Sequence, residues 1–567
     1  MRLLRFEVLE RRMCLTALGF DSSLGGMEFT DTTDNSLIPA LVETNHAITT
    51  DAGVQQSPSI AVDPNDPTHL VVAYMDYSLM ETGYAGIGIS ISRDSGRSWE
   101  RDSLKLPSDF EQGASDPIVK FDAQSHVYVS FMAATFKGAS RPPILNPASG
   151  RPRSLGFEAN NEIFVALSVD GGSTWQTPIA VASQRFESSQ QVSFDINPDM
   201  AIDTLPRLPD GQTNPNFGNI YVTWARYYPS GQFPGEVNST GGSQVFIAAS
   251  SDGGQNWHLR TQQPSNSDVA ITVLETKSNT GLDQPPGRGY LNWPRVTVGA
   301  NGDVSVADYG GAWYLVNHSI DAGANFFVPT QDSFIGLPFG SGAKLLAAGL
   351  SKNSLRTVPT RAIAADPTRP GFIYVAEPLP VFDAVGNPVD AADIFFAHSE
   401  DYGRKWKSTV LPGNRPAGPP IARSVNDDNG GRKSDGSLND VAADQFMVRL
   451  QVSPKGDVGL IWYDTRRDPE NHLLDVFGAF SSDGGKTFGQ NFRITDQSFD
   501  ADKGAFQDAT GHPLVFLGDS IGLALSPDTA YVAWTDTRAT IKTSFSEVFQ
   551  FILPPRHLTI ASKRMTH

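Results

Sequence analysis

Ser92-Arg93-Asp94-Ser95-Gly96-Arg97-Ser98-Trp99 is one of six copies of the pattern Ser-x-Asp-x-Gly-x-x-Trp/Phe. The others occupy 168–175, 250–257, 319–326, 399–406 and 481–488. Each residue type has a physical role. Asp tolerates tight turns, and its carboxylate accepts backbone N–H groups within the loop. Gly adopts a conformation that a Cβ resists. The closing aromatic is large enough to fill the space between neighbouring strands. Six copies at similar intervals, each after an apolar strand-like run, define a repeat architecture.

The repeat unit is larger than the motif. In the first unit, Ser59-Ile60-Ala61-Val62-Asp63-Pro64 reads as one strand and Leu70-Val71-Val72-Ala73-Tyr74-Met75-Asp76 as a second. Gly86-Ile87-Gly88-Ile89-Ser90-Ile91 reads as a third, the Asp-containing turn follows, and a fourth begins at Trp99. Short apolar runs bounded by Asp, Asn, Pro and Gly are strand signals. The same order recurs from Pro117, Met200, Arg295, Ala362, Phe446 and Ile521. The last unit ends without the motif and without a fourth strand. A strand near His46-Ala47-Ile48-Thr49-Thr50 is expected to complete it, since closure by both chain ends removes exposed sheet edges.

The predicted fold is therefore all-β: a seven-bladed β-propeller of four-stranded antiparallel sheets, with the closing blade shared by both termini. Six blades are the alternative. The expected boundaries are a leader and disordered segment over 1–44, the propeller over 45–555 and a tail over 556–567. Long insertions fall at 137–159, 205–219, 229–243, 263–290 and 414–444.

Bulk composition agrees. The 567 residues include 52 Gly and 39 Pro, which suits a turn-rich β protein. A net charge of −18 excludes nucleic acid as a partner, because phosphates would be repelled. The single cysteine, Cys14, permits no internal disulfide. No apolar run reaches transmembrane length. Glu7, Glu10, Arg11 and Arg12 interrupt any apolar core of an ordinary secretory signal. The run Phe6-Glu7-Val8-Leu9-Glu10-Arg11-Arg12 resembles a short N-terminal motif of extracellular proteins from planctomycete bacteria. That resemblance implies an extracellular or cell-surface location; a charged, disordered start is the other reading.

The repeats themselves resemble those of the sialidase superfamily, whose members carry Asp-box (BNR) repeats on β-propellers. The resemblance covers nearly the whole chain from about Ser57. It is specific for the fold and weak for activity, because function resides in the site. Sialidases bind the sugar carboxylate through three arginines, the first in an aromatic-Arg-Ile-Pro run. Here the matching stretch is Val54-Gln55-Gln56-Ser57-Pro58-Ser59, and Gln56 stands at the arginine position. An amide supplies neither the charge nor the bidentate fork. The family's tyrosine nucleophile and its glutamate partner map onto no position.

In the superfamily the active site lies on the propeller face opposite the Asp-box turns. That face receives the ends of the second strands: Asp76, Ala133, Arg226, Asp308, Glu377, Asp464 and Asp536. It also receives the starts of the first strands, marked by Asp116, Asp199, Arg295, Arg361, Asp444, Arg449 and Asp519. Two carboxylates about 5 Å apart repel by roughly 3 kcal/mol at an effective dielectric near 20. Such a rim must pair its acids with arginine, protonate some, or bridge them with a cation. Asp464-Thr465-Arg466 and Asp536-Thr537-Arg538 suggest pairing. Asp116, Asp444 and Asp519 are the candidate Ca²⁺ ligands, by their hard oxygen donors.

Three functions follow. The first is non-catalytic binding of a glycan or other extracellular ligand at the acidic rim, with Arg226, Arg295, Arg449, Arg466 and Asp536 as contacts. The second is an exo-acting, sialidase-type glycoside hydrolase, which needs two carboxyl groups or a tyrosine with a carboxylate; Asp76, Asp308, Tyr309, Glu377 and Asp464 are its candidates. The third is an interaction protein of the cell envelope. Asp94, Asp170, Asp252, Asp321, Asp401 and Asp483 are assigned to the turns. Asp after a strand commonly caps local backbone, so many of the rim acids also have a purely structural reading. The stretch from Asn426 to Gly436 lacks EF-hand spacing and reads as a solvated loop. The ten histidines show no metal-binding spacing.

Overall fold

The computed structural model describes residues 45–50, 53–80, 84–136, 159–184, 193–229, 231–232, 242–259, 273–278, 293–309, 313–326, 335–336, 355, 361–382, 388–408, 423–428, 443–504, 506–507, 513–538 and 547–553. Most of the predicted insertions, the leader and the tail lie outside these residues. The described residues are all-β apart from one 3-10 turn at Ala501–Gly504.

Six antiparallel blades follow one another along the chain, each built of consecutive strands. Blade one comprises Gln55–Val62, Leu70–Asp76, Gly86–Ser92 and Glu100–Ser103. The first strands of blades two to six are Gly113–Phe121, Phe194–Ile202, Arg295–Val298, Ala362–Ala365 and Gln445–Val452. Blades three and five carry one extra strand each on the third strand, Val273–Ser278 and Arg423–Ser424. A further four-stranded sheet closes the ring. It contains Gly522–Leu525, Ala530–Asp536 and Glu547–Leu553, with His46–Ala47 paired on the last. The propeller thus has six blades, the alternative count, and not the expected seven: six sheets carry the Ser-x-Asp turn, and the further sheet, which lacks it, is joined by strands from both ends of the propeller.

Closure is visible in the packing. Each first strand packs on the next, and Gly522–Leu525 packs on the first strands of both blade one and blade six. A separate apolar core fills every interface between adjacent sheets. Tyr74, Phe131, Trp224, Trp462 and Trp534 are fully buried in these cores. Truncating any one of them to Ala would cost about 3–5 kcal/mol. The aromatics that close the turn motif, such as Trp175 and Trp257, pack into the core shared with the preceding blade.

The turn chemistry is uniform. In each copy the serine Oγ accepts the N–H of the glycine four residues on, at 2.7–2.9 Å. The serine hydroxyl donates to the aspartate, as in Ser168 to Asp170 at 2.7 Å. The same carboxylate accepts the N–H four residues later, 2.8 Å from Thr174. Two successive residues are left-handed in every copy, for example Ser95 and Gly96 at φ 62° and 83°. The second of these is always glycine, the residue that carries least penalty there.

The first strands begin four to six residues before the sequence-predicted starts in blades one to three. Pro58, Pro117 and Pro198 mark a strand boundary in sequence, but the strand runs through them by a register shift: Gln56 to Ser59, Ser115 to Ile118 and Ile196 to Asp199. A bulge leaves one backbone N–H outside the ladder, so a proline there loses no bond.

Candidate functional site

The register shifts build the site. A left-handed residue lies at the shifts of blades one, two, three and six, and another just ahead of the first strands of blade four and of the closing sheet. Ser57, Asp116, Asn197, Trp293 and Met447 have φ of 55°, 55°, 55°, 45° and 56°, and Gly518 has 87°. The first four precede proline. These kinks sit at the starts of the first strands, at the end of the ring away from the Ser-x-Asp turns. Side chains from blades two, three and four and from the closing sheet meet there around the axis.

Asp116, Asn197, Trp293, Arg295, Asp519 and Ser520 line the resulting axial cavity. Its volume is about 10 Å³, room for one water-sized group. Burial, and then the Asp519 carboxylate opposite, push Asp116 up to about 6. Ser115 donates to Asp116 at 2.9 Å, and Arg295 opposes the upward shift. Arg295 is itself buried, with a hydrogen bond to the Pro294 carbonyl at 3.2 Å. The Asp519 N–H donates to Ser57 Oγ at 2.7 Å, tying the closing sheet to blade one. Three predicted residues, Asp116, Arg295 and Asp519, are therefore brought together by separate sheets.

The other rim residues are held within their own blades. Arg226 is bidentate on Asp195. Glu377 is paired with Arg361, and burial raises its pKa against that pairing. Asp464 accepts from Arg466 at 2.9 Å and from Trp462 Nε1 at 2.8 Å. Asp536 accepts from Arg538 at 2.9 Å and from Trp534 Nε1 at 3.0 Å. These two blades use the same device, an indole two residues before the acid and an arginine two residues after it. Asp76 accepts from Gln55 at 3.2 Å and from the Ser78 hydroxyl at 2.6 Å. Gln56 donates to the Tyr77 hydroxyl at 2.9 Å.

Asp444 is fully buried and accepts from Asn471 at 2.9 Å, so it serves the base of blade six and does not join Asp116 and Asp519. Asp308 and Tyr309 end the second strand of blade four, opposite Leu315 and Tyr314; their side chains lie outside the described residues. Arg449 lies on the first strand of blade six, where burial lowers its pKa, and it does not line the cavity. The stretch from Asn426 contributes Asp427, which pairs with Arg466 at 2.6 Å, and Asp428, which accepts from Gln445 at 2.8 Å. At least its first three residues are thus built into the blade.

Residues absent from the predicted site are Asn197 and Trp293, which line the cavity. The Asn-Pro and Trp-Pro dipeptides were the available signal for both. His472, Asp500 and Asp502 form a further cluster, with His472 Nε2 3.0 Å from Asp500.

The chain matches no family model and no curated protein. Solved structures similar to it include a protein of unknown function from Dyadobacter fermentans, at 11% identity and TM-score 0.41, covering 91% of this chain and 100% of that one. A mutant of NanB sialidase from Streptococcus pneumoniae is similar at 9% identity and TM-score 0.42, over 91% of this chain and 95% of that one. An alpha-L-arabinanase from Penicillium chrysogenum, complexed with arabinobiose, is similar at 11% identity and TM-score 0.40, over 91% of this chain and 99% of that one. Among the described residues no helix is long and apolar enough to cross a membrane.

Proposed function

We propose that this chain is a secreted, sialidase-like propeller that binds a glycan or another extracellular ligand at the axial mouth opposite its Asp-box face, without cleaving it. The observation that carries this reading is the convergence of Asp116, Arg295 and Asp519, from separate sheets, on one small cavity. A cavity of about 10 Å³ admits one polar group of a ligand, not a sugar ring. The remainder of the ligand would lie across the mouth. Two carboxylates and a guanidinium suit a hydroxyl-rich partner, which both donates and accepts.

The distribution of charge favours binding over hydrolysis. Glu377, Asp464 and Asp536 are each occupied by an arginine of their own blade. Asp76 is hydrogen-bonded within blade one. An acid that must give or receive a proton needs to be reachable by substrate. Gln56, with its amide on Tyr77, adds no cationic clamp.

Hydrolysis is the second reading, and one observation favours it: Asp116 is held protonated up to about pH 6 beside a second carboxylate, Asp519. A raised carboxylic acid next to another carboxyl group is what general-acid cleavage of a glycoside requires. The same two oxygen-bearing groups are the pair that would take Ca²⁺, with Arg295 opposing it. A panel of chromogenic glycosides separates the readings. Release of chromophore that is lost in Asp116→Asn and Asp519→Asn establishes hydrolysis. Binding without release supports the first reading. No binding and no release points to a cell-envelope interaction protein that acts through its loops.

A further inference from the structure

The axial cavity is lined by more than two carboxyl groups and a guanidinium: Asn197 and Trp293 share it. The Asn197 side chain is 4% exposed and, among the described residues, makes no hydrogen bond. The Trp293 Nε1–H is buried and has no acceptor. Arg295 makes one hydrogen bond, to the Pro294 carbonyl at 3.2 Å, and among the described residues no carboxylate lies within ion-pair distance of it. Asn197 and Trp293 are both left-handed, at φ 55° and 45°, each ahead of a proline. A bulky side chain carries a penalty in that region, and such strain gathers at ligand sites.

Buried polar groups without partners are costly, so the lining set decides what can enter. It offers N–H groups from Asn197, Trp293 and Arg295, and acceptor oxygens from Asn197, Asp116 and Asp519. A hydroxyl answers both, since it accepts through its lone pairs and donates its proton. A carboxylate answers only the donors. It would also add a third negative charge where one guanidinium serves two acids, and Asp116, raised to about 6, is mostly ionised at pH 7.5. Size narrows the choice further. About 10 Å³ holds one oxygen-sized group and no ring. A hydroxymethyl carries its oxygen on a rotatable bond clear of the sugar ring, whereas a hydroxyl attached directly to the ring brings ring atoms to the opening.

We propose that the cavity, within the glycan reading on which this rests, receives the hydroxymethyl oxygen of a neutral hexose end, that Asn197 and Trp293 select it, and that sugars with a carboxylate in its place are excluded.

Titration calorimetry of the full chain at pH 7.5 tests this with three methyl β-glycosides that differ at a single carbon. The glucoside carries a hydroxymethyl there, the glucuronide a carboxylate and the xyloside hydrogen. Methyl galactoside, its uronide and the matching arabinopyranoside repeat the series for the other ring configuration. In the series that fits the mouth, the hexoside is expected to bind at least tenfold more tightly than the uronide and the pentoside. Trp293→Phe keeps an aromatic ring and loses the N–H; Asn197→Gly removes the amide and tolerates the left-handed backbone. Each should weaken the hexoside at least fivefold and leave the pentoside unchanged, a pattern that general loss of structure does not produce. Asp519→Asn should narrow the gap between hexoside and uronide. The wild-type order needs no variant, so it remains decisive if a substitution prevents folding. A uronide or a pentoside that binds as tightly as its hexoside overturns the proposal and leaves glycan binding at the mouth standing. No binding by any of the six sugars overturns it as well, and a glycan array then shows whether the glycan reading falls with it.

Discussion

Arg226 and Asp195 face each other across the first two strands of blade three and join through two parallel hydrogen bonds, Nε to Oδ1 at 2.6 Å and NH2 to Oδ2 at 2.8 Å. The Arg226 guanidinium also lies 4.5 Å over the Phe246 ring. Asp195 is wholly buried, and its backbone N–H donates to Asn161 Oδ1 at 2.7 Å. Removing one partner leaves the other charge buried. Asp195→Ala should therefore cost about 3–5 kcal/mol in urea denaturation, and Arg226→Met a similar amount. An Arg226→Met variant of unchanged stability would return that arginine to the ligand-binding set.

The turn aspartates give a pH dependence of known sign. The Thr174 hydroxyl holds Asp170 down to about 2, and the Asn256 side chain does the same for Asp252. A folded pKa below the unfolded value of 3.8 adds stability above that value, which is lost as pH falls through about 2. Asp170→Asn should therefore be less stable than wild type at pH 7. The two denaturation curves should converge near pH 2. A constant gap over that range would show that the hydrogen bonds to the charged carboxylate are not the source.

Asp116 has the opposite sign. Its folded pKa of about 6 exceeds 3.8, so the acid form is favoured on folding and stability falls as pH rises between those values. Asp116→Asn should match wild type at pH 4 and melt higher at pH 7.5 in the presence of EDTA. If Asp116 and Asp519 hold Ca²⁺, millimolar Ca²⁺ should raise the melting temperature of wild type and not of the variant. A variant that melts lower than wild type at pH 7.5 in EDTA contradicts the repulsion between the two carboxyl groups.

Ring closure depends on Gly518. It is left-handed at φ 87°, and a Cβ there would lie 2.5 Å from the Ser57 backbone nitrogen. The neighbouring Asp519 N–H bonds Ser57 Oγ, so the closing sheet and blade one cannot separate to make room without breaking that link. Gly518→Ala is expected to destabilise the chain by about 1–3 kcal/mol. Hydrogen exchange should show the added opening in Gly522–Leu525 and Gln55–Val62.

The turns were legible because their chemistry is local. Serine, aspartate and glycine lie within five residues, and their hydrogen bonds close inside the loop. The closing sheet was legible from a missing strand and a spare one. Pairing on the rim was legible only where acid and arginine stand two residues apart, as in Asp464 with Arg466. Arg226 and Asp195 are 31 residues apart, and only the strand register aligns them. The prolines at 58, 117 and 198 read as boundaries because a strand interior ordinarily excludes them.

The central claim is that the ligand meets the protein at the axial mouth. A glycan array probed with wild type, Arg295→Gln, Asp519→Asn and the turn-face variant Arg97→Ala tests it most directly. The account predicts capture by wild type and Arg97→Ala, with at least tenfold loss in the two mouth variants. Capture that persists in Arg295→Gln and Asp519→Asn but fails in Arg97→Ala would place the ligand on the other face and contradict it.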